Sequence, residues 1–161
     1  MSEISVTIGP DLIERERKDQ FGEEEFAALE AALIDEVERA LDKKGRYAPA
    51  AEGMRLELIL VDAKASRPTP RQLYGRVGIR TEGTPGFATE LGFSSGTGGA
   101  EIHAHLTDAS GANLGEMVYI RFETGANVAI ASRTWGHAED VFKRFGKGLA
   151  KRLDKAERAG A

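Results

Sequence analysis

Residues 99–124 read GAEIHAHLTDASGANLGEMVYIRFET, and they contain the strongest structural signal in this chain of 161 residues. Apolar and polar residues alternate on both sides of an Ala109-Ser110-Gly111 turn. This two-residue period is typical of strands with one buried face. Because only a short Ser-Gly turn separates the two runs, the segment is predicted to form a β-hairpin. Asp108 is predicted to bind the backbone of the turn through its carboxylate.

The alternation also predicts which side chains of the hairpin share a face. The first strand places Ile102, Ala104 and Leu106 on one face, opposite Glu101, His103 and His105. The second strand places Val118, Ile120 and Phe122 on one face, opposite Met117, Tyr119, Arg121 and Glu123. One face of the hairpin is therefore apolar and is expected to be covered by other elements.

Two amphipathic helices are predicted to supply that cover, over residues 23–44 and 136–158. Apolar residues recur in both at steps of three and four, which is the helical period. The first stripe consists of Phe26, Leu29, Leu33, Val37 and Leu41. The second consists of Ala138, Val141, Phe142, Phe145, Leu149 and Leu153. Gly146 and Gly148, each costing about 1 kcal/mol relative to alanine in a helix, indicate close packing of the second helix against the sheet.

Two further strands are predicted, at residues 5–8 and 54–63. In the second of these, Leu56, Leu58 and Leu60 share one face, whereas Ile59 and Val61 make the other face partly apolar. The segment from about 66 to 99 is rich in glycine and proline and is expected to be a long loop within a single domain spanning residues 1–161. The predicted fold class is α+β: a two-layer sandwich of a mainly antiparallel sheet, with two helices on one face.

Composition narrows the classes of function. The formal net charge of −4 argues against a general nucleic-acid-binding protein, which needs a basic surface, although a local basic patch is compatible with it. The chain has no cysteine, so disulfide and thiolate chemistry are absent. No apolar run reaches the roughly 20 residues that a membrane-spanning helix needs. The N-terminus lacks the basic and apolar segments of a signal peptide.

Glu101, His103 and His105 form an E-x-H-x-H pattern on one side of a strand, and such residues are metal ligands in many proteins. The alternative interpretation is a solvated polar face whose charges pair across strands. No cofactor is predicted. No G-x-S-x-G or similar motif arranges a nucleophile, so the chain is predicted not to be an enzyme. Trp135 is predicted to be a packing anchor at the start of the last helix.

Three segments, MRLELILVDAKASRP, GGAEIHAHLTDASGANLGEMV and SRTWGHAEDVFKRFGKGLAKRL, together resemble an uncharacterised family of bacterial exported lipoproteins. The resemblance covers roughly residues 20–155. The matching residues are Asp62, Ala63, Glu101, Leu106, Asp108, Ala109, Gly111, Trp135, Ala138 and Phe142. The chain departs from the family pattern in lacking a lipid-accepting cysteine and in having Ser110 in the turn. The resemblance implies a periplasmic or outer-membrane-associated location, with a lipid anchor outside the present sequence; the composition alone is equally compatible with the cytoplasm.

These observations lead to three functional hypotheses. The first is a non-enzymatic envelope or periplasmic protein that binds a protein or a ligand through the exposed sheet face or the Gly-rich loop. Its binding residues are predicted to be Ile59, Val61, Tyr119 and Arg121, and its partner is an unknown protein or a second copy of the chain. The second is a metal-binding protein or metal-dependent enzyme that uses Glu101, His103 and His105. The third is a small-ligand binder closed by the 83–99 loop.

Overall fold

The computed structural model describes residues 1–18, 22–47, 53–66, 97–124 and 133–160. The elements are, in chain order, β1 (Glu3–Ile8), α1 (Pro10–Lys18), α2 (Glu23–Asp42), β2 (Arg55–Lys64), β3 (Thr97–Thr107), β4 (Asn113–Thr124) and α3 (Gly136–Gly160). The four strands form one sheet in the order β1-β2-β3-β4. β1 is parallel to β2, and the other two pairs are antiparallel. The predicted α+β class is confirmed.

One face of the sheet and the helices enclose the core. β2 contributes Leu56, Leu58 and Leu60, and β3 contributes Ile102 and Ala104, all buried as their alternation predicts. The helices bury most of their predicted apolar stripes in the same core: Leu29, Leu33, Val37 and Leu41 from α2, which packs against α3 and β1, and Ala138, Val141, Phe142, Phe145 and Leu149 from α3. α1, which the charged sequence of residues 11–18 does not clearly indicate, adds Leu12 to the same core.

α2 and α3 run parallel, because three contacts between them occur in the same order along both helices. At the start, the Trp135 indole Nε1 donates a hydrogen bond of 2.6 Å to Glu25 Oε2. Near the middle, a Cβ added to Gly146 would lie 2.9 Å from the backbone oxygen of Glu36. At the end, Arg46 donates a hydrogen bond of 2.6 Å to Asp154. Gly146 therefore packs against α2, rather than against the sheet as predicted.

The hairpin turn is organised by Asp108, as predicted. One carboxylate oxygen accepts hydrogen bonds from the Ser110 backbone N–H at 2.8 Å, the Ser110 hydroxyl at 2.6 Å and the Ala112 backbone N–H at 3.0 Å. These donors, the Ser110 hydroxyl foremost, hold the pKa of Asp108 below its ordinary value because they favour the charged carboxylate. Gly111 adopts a φ of 87°, a backbone conformation that glycine tolerates best.

The predicted face assignment is confirmed in β3 but is wrong in β4. Beside the turn Thr107 pairs with Asn113, yet one step further Leu106 pairs with Gly115, so Leu114 is an extra residue in β4. A one-residue slip moves every following side chain to the opposite face. Val118 consequently pairs with His103 and faces outward, whereas Met117 and Tyr119 pack against the core.

The predicted loop at about 66–99 falls mainly on residues 67–96, which lie outside the described residues. The prediction of a ligand site closed by residues 83–99 therefore also concerns a segment of which only residues 97–99 are described. Ser66 and residues 97–99 border it: Ser66 follows β2, and residues 97–99 begin β3.

Candidate functional site on the outer face of the sheet

The outer face of the sheet is the face turned away from the helices. Its side chains follow from the strand registers, because residues paired across neighbouring strands point to the same face. This face carries Glu57 and Ile59 from β2, Glu101, His103 and His105 from β3, and Glu116, Val118, Ile120 and Phe122 from β4. It is thus polar along β3 and apolar along β4.

Each histidine on the outer face lies beside a carboxylate. His103 Nε2 is 2.7 Å from Glu101 Oε1, and His105 Nδ1 is 3.4 Å from Glu116 Oε1. Glu101, His103 and His105 do share one face, as the sequence predicts. Across the described part of the chain, however, no group of three or more His, Asp or Glu side chains is placed to hold a metal ion. The four side chains form two separate pairs of polar contacts within the face.

The apolar half of the outer face, here called the apolar stripe, consists of Val118, Ile120 and Phe122, with Leu114 near its turn end. The exposed fractions are 57%, 59%, 44% and 50%, respectively. At about 200 Å² for a whole large apolar residue, half-exposure leaves roughly 100 Å² on each of Val118, Ile120 and Phe122, or roughly 300 Å² together. Glu116 lies between Leu114 and Val118, so Leu114 adds a separate apolar spot. Exposed apolar patches of about 300 Å² on monomers are often functional.

The predicted binding residues divide between the two faces. Ile59 is half-buried on the outer face, where it pairs with His103, and Val61 is half-buried at a β-bulge in β2. Tyr119 instead packs edge-on against Phe145 of α3, with ring centroids 5.9 Å apart and planes at 62°. Arg121 lies on the same side of β4 as Tyr119 and is exposed. The prediction that Tyr119 and Arg121 lie on the outer face is therefore wrong, because the bulge in β4 turns them to the other face.

A buried pair that the sequence analysis missed links the end of β2 to the start of α3. Ser66 Oγ lies 2.6 Å from His137 Nδ1, and it also accepts a hydrogen bond of 3.2 Å from the His137 backbone N–H. Both residues are at most 2% exposed. Ser66 thereby satisfies a free N–H group in the first turn of α3, which is the role of a helix cap supplied from a distant segment.

Protein-family models, curated proteins and solved structures were compared with the chain, and none of them matches it. In the described ranges, no helix is both long enough and apolar enough to cross a membrane.

Proposed function

We propose that this is a non-enzymatic binding protein of the bacterial envelope that acts through the outer face of its sheet. The observation that carries the proposal is the apolar stripe on β4. Strand pairing and the bulge at Leu114 hold Val118, Ile120 and Phe122 outward, although equally apolar residues elsewhere in the chain are buried. The envelope location is supported by the resemblance to exported lipoproteins.

The occupant we propose for the stripe is a second copy of the chain, packed with its own stripe against the first. An apolar surface is complementary to itself, and a symmetric dimer requires that property. The two His–Glu pairs lie beside the stripe on the same face, so they would form a polar rim that keeps its water.

Two stripes of roughly 300 Å² each would bury about 600 Å² of apolar surface on association. Standard stable interfaces bury about 1,200–2,000 Å² in total, and association also costs translational and rotational freedom, so buried area does not convert directly into affinity. We therefore expect a weak, reversible dimer that forms only at high protein concentration.

Light scattering coupled to size exclusion, over protein concentrations from about 1 µM to about 1 mM, tests the proposal. We expect the wild type to dimerise with concentration and Ile120→Glu to be monomeric. The buried carboxylate would remove at least about 2 kcal/mol of binding free energy, a roughly 30-fold loss of affinity. Ala28→Glu is the control, because Ala28 is exposed on α2 and the variant adds the same charge away from the stripe.

A wild type that stays monomeric at every concentration would rule out self-association through the stripe. If Ile120→Glu still forms the dimer, the interface lies elsewhere on the molecule. Far-UV circular dichroism of both variants checks that the fold is retained, which the exposure of both positions favours.

A further inference from the structure

A groove of about 860 Å³ lies between α2 and α3, on the side of the molecule away from the sheet's outer face. Among the residues that the structure describes, nine cationic and two acidic ones line it, together with Ala40 and Ala150. The groove thus has a formal excess of seven positive charges in a chain whose net charge is −4. Such a concentration of like charge is unfavourable for folding by itself and calls for a functional reason.

The cations are arranged in rows along the two walls. On α3, Lys143, Lys147, Lys151 and Lys155 follow one another at four-residue steps and all line the groove. Each step advances about 6 Å along a helix, so the row extends over about 18 Å. Arg39 and Lys43 form a shorter row on α2, at the same four-residue spacing.

Neither acidic residue of the groove is available to the other cations. Glu36 pairs with Arg39, while Asp154 pairs with Lys44 and with Arg46. Among the side chains that the structure describes, the remaining seven lining cations have no acidic partner. The parallel C-termini of α2 and α3 supply only about half a negative charge each. Helix-dipole compensation therefore accounts for a small part of the positive charge.

We infer that this groove binds a linear anion that carries several phosphate groups, either free oligophosphate or a multiply phosphorylated small molecule. Ammonium groups at regular spacing on two facing walls suit phosphates that follow one another along a chain, since lysine binds phosphate as a point charge. A cleft of this volume is in the range of small-molecule sites. Its concavity disfavours a flat membrane. None of the described residues that line it is aromatic, so they offer no stacking platform for nucleic-acid bases.

Isothermal titration with inorganic tripolyphosphate, compared with orthophosphate at equal ionic strength, tests this inference. We expect tripolyphosphate to bind more tightly, and Lys147→Gln/Lys151→Gln to weaken that binding about ten-fold or more. The control Lys64→Gln/Arg133→Gln removes two exposed positive charges outside the groove and is expected to stay within about two-fold of the wild type. Circular dichroism confirms that each variant is folded.

Several outcomes would overturn the inference. One is that tripolyphosphate and orthophosphate bind with equal affinity. Another is that the control variant loses as much affinity for tripolyphosphate as the groove variant does, which would indicate a response to net charge alone. Binding to phosphatidylglycerol vesicles without binding to tripolyphosphate would identify a membrane surface instead. Tighter binding of a thymidine oligonucleotide than of tripolyphosphate would indicate a nucleic-acid site.

Discussion

Gly146 and Gly148 lie two residues apart in α3, yet the same substitution is expected to have opposite effects at the two positions. A Cβ at Gly146 would lie 2.9 Å from the Glu36 backbone oxygen and 3.1 Å from Ala40 Cβ, whereas a Cβ at Gly148 would meet nothing within 4 Å. Alanine gains about 1 kcal/mol over glycine in a helix at either position. Only at Gly146 does the added methyl group also push α2 and α3 apart.

Overpacking of this kind costs about 1–3 kcal/mol. At Gly146 the nearest atom belongs to the backbone of α2, which cannot move away by changing a side-chain rotamer. Set against the gain of about 1 kcal/mol, this cost is expected to leave the free energy of unfolding of Gly146→Ala up to about 2 kcal/mol below that of the wild type, whereas Gly148→Ala should raise it by about 1 kcal/mol. Urea unfolding followed by far-UV circular dichroism measures both changes. At about 2–4 °C per kcal/mol for a chain of this size, the two melting temperatures should differ by roughly 6 °C. A Gly146→Ala variant stabilised as much as Gly148→Ala would refute the close approach of the two helices.

Three further predictions concern single side chains. Ser66→Ala should destabilise the fold by about 2 kcal/mol in urea, because it leaves buried polar groups of His137 without a partner; a change below about 0.5 kcal/mol would contradict the capping role. The pKa of Asp108 is depressed in the folded state, so its stabilising contribution is present above the unfolded-state pKa and is lost as the pH falls through the folded-state pKa. The stability difference between the wild type and Asp108→Asn should accordingly shrink between about pH 6 and pH 3, and a constant difference would show that the carboxylate is not the cause. In zinc titrations, His103→Ala/His105→Ala should bind as weakly as the wild type, and tighter binding by the wild type would support the metal hypothesis.

The alternation of residues was sufficient to predict the faces of β2 from Leu56 to Leu60 and of β3 from Ile102 to Leu106, because these two stretches pair residue by residue without interruption. It failed in β4 for one physical reason, the extra residue Leu114. A local signal of that bulge is present in the sequence: Asn113 precedes Gly115 by two residues, and its side chain accepts the Gly115 N–H at 2.8 Å. Asparagine bonds its own backbone in this way where regular pairing is interrupted.

Other features depend on contacts between segments far apart in the chain. Ser66 and His137 are separated by 71 residues, so no local spacing brings them together. The basic groove likewise requires α2 and α3 to be parallel neighbours. In the sequence, the cations at the end of each helix are explained separately by that helix's own dipole. Only when α2 and α3 lie side by side does it become visible that the summed positive charge exceeds what the two helix dipoles can offset.

The parallel arrangement of α2 and α3 also gives the molecule a permanent electric moment. Glu23, Glu24 and Glu25 occupy the first turn of α2, and the basic groove lies towards the other end of a helix about 30 Å long. At physiological salt, charges are screened beyond about 8 Å. A negatively charged molecule near the groove therefore responds to the cations there and not to the distant acids. The groove therefore attracts such a molecule over the last several ångströms before contact, despite the overall negative charge of the chain.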